Sequence, residues 1–235
     1  GNEVDYVLIQ IGNKYIIVAE DLLDRVAEKI EAKDNAKNIL KKIKGHSLLN
    51  YKTEHPFYDK LVPIIHANHV TTENGTGLVH IAPGHGQDDY IAGLDNNLEV
   101  FNPVNDKGVF NDSLELFGGL HVRKANDPII SCLREKDRIL HHEKYTHSYP
   151  HCWRFKTPLI FRATPQWFVS MDQNNLRDNI NNTLDSVNWV PKWGYERIKN
   201  MIKNRPDWCI SRQRFWGVPI PLFIDKETHQ LHKLL

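Results

Sequence analysis

Residues 71–90 read TTENGTGLVHIAPGHGQDDY, the densest polar cluster in the chain. Thr71 to Gly77 form a turn cluster in which Gly75 and Gly77 bracket Thr76. The apolar run Leu78–Pro83 reads as a short strand with His80 near its end. A Pro-Gly-His-Gly loop at 83–86 then leads into the acidic pair Asp88 and Asp89. Sites often form where a strand ends in a loop, because the strand fixes the side chain and the loop admits ligand. His80 could hold a water or hydroxyl there, and Asp89 could pair with a cation. On residue type alone three readings stay open. One is a satisfied strand histidine with an aspartate capping a following helix. The second is a metal site built from His80, His85, Asp88 and Asp89, although this spacing matches no strong ligand signature. The third is a metal-free hydrolytic or binding pocket.

Working outward, Val4 to Gln10 alternates like a strand, and Gly12-Asn13 suits a two-residue hairpin turn of type II′ before a return strand at Tyr15–Ala19. Leu22, Val26 and Ile30 recur every four residues and predict a helix. Apolar helical spacing resumes at Ile39, Leu40 and Ile43, with Gly45 as a stop. Residues 46–125 read as mostly β with many turns, including a short strand in LVPIIHANHV. Asp127-Pro128 predicts a helix start, with Asp as N-cap and the helix running to about Asp137. RILHHEKYTHSYP at 138–150 reads as a strand, and Tyr195–Asn204 as a helix.

The whole chain has 235 residues, with 30 Lys+Arg against 29 Asp+Glu and a net charge of +1. It is 40% hydrophobic and 25% charged, which excludes disordered and collagen-like classes. No apolar run approaches the roughly 20 residues of a membrane-spanning helix, and no signal peptide is visible. The three cysteines, Cys132, Cys152 and Cys209, are few, distant and odd in number. They fit a reducing, cytoplasmic setting better than a disulfide framework. The chain opens on Gly1 rather than Met, which fits a piece cut from a longer protein.

The near-zero net charge is a cancellation. Residues 189–216 carry Lys192, Arg197, Lys199, Lys203, Arg205, Arg212 and Arg214 against only Glu196 and Asp207. The same window holds Trp189, Trp193, Trp208 and Trp216, four of the six tryptophans. Basic side chains attract phosphates and aromatics stack on unpaired bases, so the window suits a single-stranded nucleic-acid end. A solvated helix beside an ordinary aromatic core is the competing reading.

The run GTGLVHIAPGHGQDDY at 75–90 resembles the editing-domain signature of the isoleucyl-tRNA synthetases. The related valyl and leucyl enzymes share the GTG turn and the final acidic residue, but typically lack a histidine at the position of His80. The similarity extends to SYPHCWRFKTPLIFRATPQWFVSMD at 148–172, which resembles the segment leaving that domain. WVPKWGYERIKNMIKNRPDWCISRQRFWGVPIP at 189–221 resembles the return into the class I catalytic core. Essentially the whole chain is covered.

The resemblance implies a connective-peptide domain that hydrolyses valine wrongly esterified to the isoleucine tRNA. A methylene in an apolar pocket is worth only about 1–3 kcal/mol, a limit for which isoleucine against valine is the standard illustration. A second, smaller pocket then removes the error. By resemblance, Asp89 binds the free α-ammonium of the aminoacyl ester, an ionised carboxylate being the right partner for that cation. His80 contacts the substrate near the terminal ribose and helps orient the attacking water. Gly75, Thr76 and Gly77 shape the pocket wall. Lys192, Arg197, Lys199, Arg212 and Arg214 are the candidate tRNA-binding residues. For Thr71, Thr72, His85 and Asp88 a structural role is expected.

The resemblance also marks departures. A threonine-rich strand reading roughly WTTTPWTLP forms another wall of the family pocket, and nothing here matches it. Some relatives carry a zinc-binding CxxC at Cys152, where this chain has Phe155 at the second position, so no metal is expected. The HIGH-type and KMSKS-type signatures are absent, so no aminoacylation is expected of this chain. ATP and magnesium belong to the full-length parent, and editing needs no cofactor.

The expected fold is α+β. A mixed, partly barrel-like β core with surrounding helices spans residues 1–157, and residues 158–235 form a stalk toward the catalytic core. The leading expectation is an aminoacyl-tRNA ester hydrolase acting on isoleucine tRNA carrying valine, with the rest of the synthetase in cis. The alternatives are a tRNA-binding or structural fragment without catalysis and, more weakly, a metal-dependent hydrolase.

Overall fold

The computed structural model describes residues 1–36, 38–212, 217–228 and 230–232. Its contacts divide the chain into two units, Gly1–Ala163 and Thr164–Leu235. Helices accompany small sheets whose strand pairs are all antiparallel, consistent with an α+β chain.

The first unit is built on a hairpin of β1 (Asp5–Ile11) and β2 (Lys14–Ala19). Tyr6 lies opposite Ala19 and Ile11 opposite Lys14, leaving Gly12 and Asn13 as the turn. Gly12 takes a φ of +59°, the left-handed backbone that the first position of a II′ turn demands. After the helix α1 (Leu23–Lys29) and the short α2 (Lys33–Ala36), β3 (Ile39–Lys44) adds to the other edge of β1. The strand order is β2-β1-β3. Leu22, Leu23, Val26 and Ala27 pack with Val7, Ile9 and Val18 into one apolar cluster, where Val7, Ile9 and Val18 are fully enclosed. Burial on this scale is worth about 1.5–3 kcal/mol per large side chain, so the hairpin and α1 form the stable base of the unit.

Residues 39–44 correct the helical expectation. Ile39, Leu40 and Ile43 do fit a helical period, yet β1 offers an unpaired edge and the segment ILKKIK fills it. Lys41, Lys42 and Lys44 then face solvent along the outer strand, and such charges discourage further pairing. Lys42 pairs with Glu20, and Lys44 with Asp5 at 3.1 Å.

A second sheet joins β4 (Lys52–Glu54) to β5 (Leu61–Pro63). The helices α3 (Gln87–Asp95) and α4 (Asn126–Glu135) follow. The predicted strands at 78–83 and 138–150 do not form; both segments run as irregular chain between turns. Helix α4 begins earlier than the Asp-Pro signal suggests, with Ala125 at the N-cap and Asp127 inside the first turn. In the second unit β6 (Phe168–Val169) pairs with β7 (Trp208–Cys209). The helices α5 (Leu176–Leu184) and α6 (Trp193–Lys203) pack on each other.

The described strands therefore make three separate open sheets, and none closes into a barrel. Closure needs enough tilted strands of matched length. Here β4 and β5 have three residues each, and β6 and β7 two. Among the described residues no helix is long and apolar enough to cross a membrane.

Candidate functional site

The glycine turn is held by the hairpin base. The Tyr6 phenol donates to the Gly77 carbonyl at 2.7 Å, and the Ala19 amide donates to the Thr76 carbonyl at 2.9 Å. Arg25 on α1 reaches the Glu73 carbonyl at 2.6 Å. Within the turn Thr76 Oγ1 lies 3.2 Å from the Leu78 carbonyl, to which it donates. Gly77 is buried with φ +75°, and a Cβ there would stand 2.5 Å from the Ala19 Cβ. Real Cβ atoms do not approach so closely, so this position needs glycine on two counts. The carbonyls of Thr76 and Gly77 are thus spent on the sheet, which fixes where the chain leaves toward His80.

His80 is exposed on the irregular segment between the turn and α3. Its charge is felt at His55, which precedes the loop at Pro56–Asp59. His55 Nδ1 accepts the Tyr58 amide at 3.2 Å, and burial, then Lys60, then His80 push its pKa below the ordinary 6.5. His85 is half-buried and its Nδ1 lies 3.0 Å from the Phe161 carbonyl, a structural contact.

Asp89 sits in the first turn of α3, where the aligned amide dipoles favour a negative charge. Its Oδ2 accepts the Ala82 amide at 3.0 Å. Its Oδ1 stands 3.4 Å from Nε2 of His69, and both side chains are about three-quarters buried. The carboxylate is therefore aimed back at the segment that carries His80, with Ala82 two residues beyond that histidine. The two oxygens of an ionised carboxylate share one negative charge and offer about four acceptor sites, so two contacts leave capacity for a ligand cation. Asp88, the other half of the acidic pair, points to solvent. The structural contact of Asp89 with Ala82 and its capacity for a cation coexist in one carboxylate.

His69 has no motif to announce it. It occupies a turn at residues 67–70, closed by the Val70 amide to the Ala67 carbonyl at 3.4 Å. A cleft of about 650 Å³ runs beside this turn, lined among others by Asp21, His66, Asn68, Val70 and Thr72. His80 and Asp89 lie outside that lining.

A family model described as class I tRNA synthetases (I, L, M and V) matches residues 6–234. The chain belongs to this family of class I tRNA synthetases. It is 52% identical over 230 residues to an isoleucine–tRNA ligase of Legionella pneumophila (strain Corby), which covers 98% of this chain and 24% of that protein. It is 51% identical over 234 residues to an isoleucine–tRNA ligase of Pseudoalteromonas translucida (strain TAC 125), covering 98% and 25%. An isoleucine–tRNA ligase of Shewanella sediminis (strain HAW-EB3) is 50% identical over 234 residues, covering 98% and 25%. The chain spans about a quarter of the length of these curated relatives.

The second unit of this synthetase chain carries the basic window. Lys199 and Lys203 fall on one stripe of α6 together with Glu196, and the N-cap residue Lys192 extends that stripe four residues before Glu196. Arg197 projects from a different side of the helix. The neighbouring stripe, Tyr195, Ile198 and Ile202, is half-buried, while Leu184 at the end of α5 is buried. Lys199 Nζ lies over the Tyr195 ring at 5.0 Å and donates to its hydroxyl at 3.1 Å. Arg212 is turned onto its own chain, donating to the carbonyls of Cys209 at 2.9 Å and Ser211 at 2.8 Å. Arg214 lies outside the described residues. Trp193 and Trp208 remain half-exposed or more, as stacking platforms would be.

Among the described residues no group of three or more His, Cys, Asp and Glu side chains could hold a metal ion. Cys132 and Cys209 are only half-buried.

Proposed function

We propose that this chain is the editing segment of an isoleucine–tRNA ligase and hydrolyses valine esterified to the isoleucine tRNA. The observation that carries the reading is the placement of Asp89. Its carboxylate is ionisable, three-quarters enclosed, held by the Ala82 amide at the start of a helix, and aimed at the His80 segment. An α-ammonium docked on that carboxylate brings the ester carbonyl toward His80. His80 then holds the attacking water. Its oxygen adds to the carbonyl carbon, the bond to the ribose oxygen breaks, and the ribose oxygen takes up the proton. An aminoacyl ester is already activated, so the site supplies position more than a strong nucleophile. The match to isoleucine–tRNA ligases at 50–52% identity over 98% of the chain supports the substrate class. The remaining length of those relatives supports the rest of the synthetase, in cis, as the partner that delivers the tRNA end. In the parent, ATP and magnesium serve aminoacylation and take no part in the ester hydrolysis, and the setting is the cytoplasm.

The second reading is a tRNA-binding or structural segment without turnover, favoured by the basic stripe and exposed tryptophans of the second unit. Hydrolysis of valyl-tRNA for isoleucine, measured with this chain and with the full synthetase that carries it, separates the two. Ester loss above the spontaneous rate in the full synthetase supports editing. Salt-sensitive binding with no ester loss in either form supports the second reading instead.

A further inference from the structure

We infer that His69 is a positioning residue that sets the direction of the Asp89 carboxylate. The inference rests on the editing reading of Asp89 and adds a residue to it. A carboxylate on a rotatable side chain points usefully only when both oxygens are held. The Ala82 amide holds Oδ2 at 3.0 Å. Without a second contact, rotation about that hydrogen bond would swing Oδ1 freely. His69 Nε2, at 3.4 Å from Oδ1, is the group that restrains it.

The restraint is built into the fold rather than resting on a free side chain. His69 lies on the turn at 67–70, and that turn is tied to the same helix that carries Asp89. Asn96, just past the end of α3, donates through Nδ2 to the His66 carbonyl at 3.3 Å and to the Ala92 carbonyl at 2.8 Å. His66 Nε2 in turn lies 2.8 Å from Asn68 Oδ1. One helix thus fixes both ends of the contact: Asp89 at its first turn, and the His66–Asn68 stretch beside its last. The Asp89 and His69 side chains are 22% and 27% exposed, enclosed enough for the contact to matter and open enough for a ligand to reach the carboxylate.

The consequence is chemical. With Oδ1 restrained by His69 and Oδ2 by Ala82, the remaining lone pairs of the carboxylate point in fixed directions. An ammonium is then bound in one pose rather than several. Losing His69 should weaken capture of the amino group, not the chemistry at the carbonyl. KM should rise while kcat stays near the parent value.

The test uses the full synthetase carrying this segment and valyl-tRNA for isoleucine as the probe. His69→Ala should raise KM about 5- to 20-fold, the size of a lost contact to a charged group. His69→Gln, whose amide nitrogen reaches about as far as Nε2, should restore most of the loss, and the shorter His69→Asn should not. In an Asp89→Ala background, His69→Ala should add nothing, because the group it positions is gone. A fall in kcat of the same factor in both backgrounds would overturn the inference, since it would mark general damage to the fold. Wild-type kinetics in His69→Ala alongside a slow Asp89→Ala would also overturn it and leave the editing reading standing. Wild-type kinetics in Asp89→Ala would overturn both. If His69→Ala does not fold, the contrast between Gln and Asn at the same position decides the matter.

Discussion

The hydroxyl of Tyr6 and the carbonyl of Gly77 lie 2.7 Å apart across 71 residues of sequence, joining the central strand of the main sheet to the glycine turn before His80. Tyr6 is only 2% exposed, and burial raises its phenol pKa above the ordinary 10.0, so the group stays a donor at neutral pH. The candidate site is therefore anchored on the best-packed part of the first unit.

That anchor predicts a graded mutational response. Tyr6→Phe removes one buried hydrogen bond and should cost about 1–2 kcal/mol. Gly77→Ala adds both a left-handed alanine and a clash with Ala19, and should cost about 2–4 kcal/mol. Gly75→Ala shares the positive φ but faces open space, so about 1 kcal/mol is expected. Urea denaturation of the three variants checks the order. Equal losses at Gly75 and Gly77 would show that the Ala19 contact carries no weight.

His55 gives the first unit a pH dependence near neutrality. Its folded pKa lies below 6.5, chiefly through burial and then through Lys60 and His80. Between the folded and ordinary values the unfolded chain binds more protons, so stability rises with pH through that window. The contribution is present above 6.5 and is lost as pH falls through the lower folded value. Melting temperatures from pH 7 to 5 should fall more in the wild type than in His55→Gln; parallel curves would refute the assignment.

In the second unit Arg177 bonds Asp172 at 2.6 Å and also donates to the Ile202 and Lys203 carbonyls at the end of α6. The hydrogen bond from Arg177, then its charge, hold the Asp172 carboxyl below its ordinary 3.8. A depressed carboxylate pKa stabilises the fold above the unfolded value, and the contribution disappears as pH falls through the folded one. Amide exchange in α6, taken relative to the intrinsic rate at each pH, should therefore speed up below about pH 4 in the wild type. In Arg177→Ala it should already be fast at pH 7. Protection of α6 unchanged by that substitution would count against the link.

Much of this was legible in the sequence, for reasons that particular residues make plain. The hairpin at 5–19 followed from alternation plus a glycine turn, α1 from its four-residue apolar spacing, α4 from the Asp-Pro start signal and α6 from its local sequence; none of these needs distant partners. The segment 39–44 was misread because its spacing fits a helix equally well, and only the open edge of β1 decides. The strand expected at 78–83 has the right composition but finds no partner strand, so it stays irregular. Asp89 and His80 could be picked out by their place in a dense polar run. His69 could not, because its relation to Asp89 exists only once the turn at 67–70 is pinned to α3.

The basic stripe of α6 predicts how tRNA binding should respond to salt. Replacing Lys192 and Lys199 with Ala should weaken binding and reduce the slope of log K against log salt by about 2. Arg212→Ala should change the slope less, since its guanidinium is held by the Cys209 and Ser211 carbonyls. Filter binding between 50 and 200 mM salt, roughly the range where phosphate contacts lose most of their strength, makes the comparison. An unchanged slope in the double variant would remove α6 from the interface.

The central claim is that the charge of Asp89 captures the substrate ammonium. Asp89→Asn tests it most directly, because the amide oxygen can still accept the Ala82 hydrogen bond that the carboxylate accepts at 3.0 Å. The variant should fold as the parent does, yet hydrolyse valyl-tRNA for isoleucine about 10- to 100-fold more slowly, the size of a lost charge-assisted hydrogen bond. Hydrolysis by Asp89→Asn in the full synthetase at the parent rate would contradict the account.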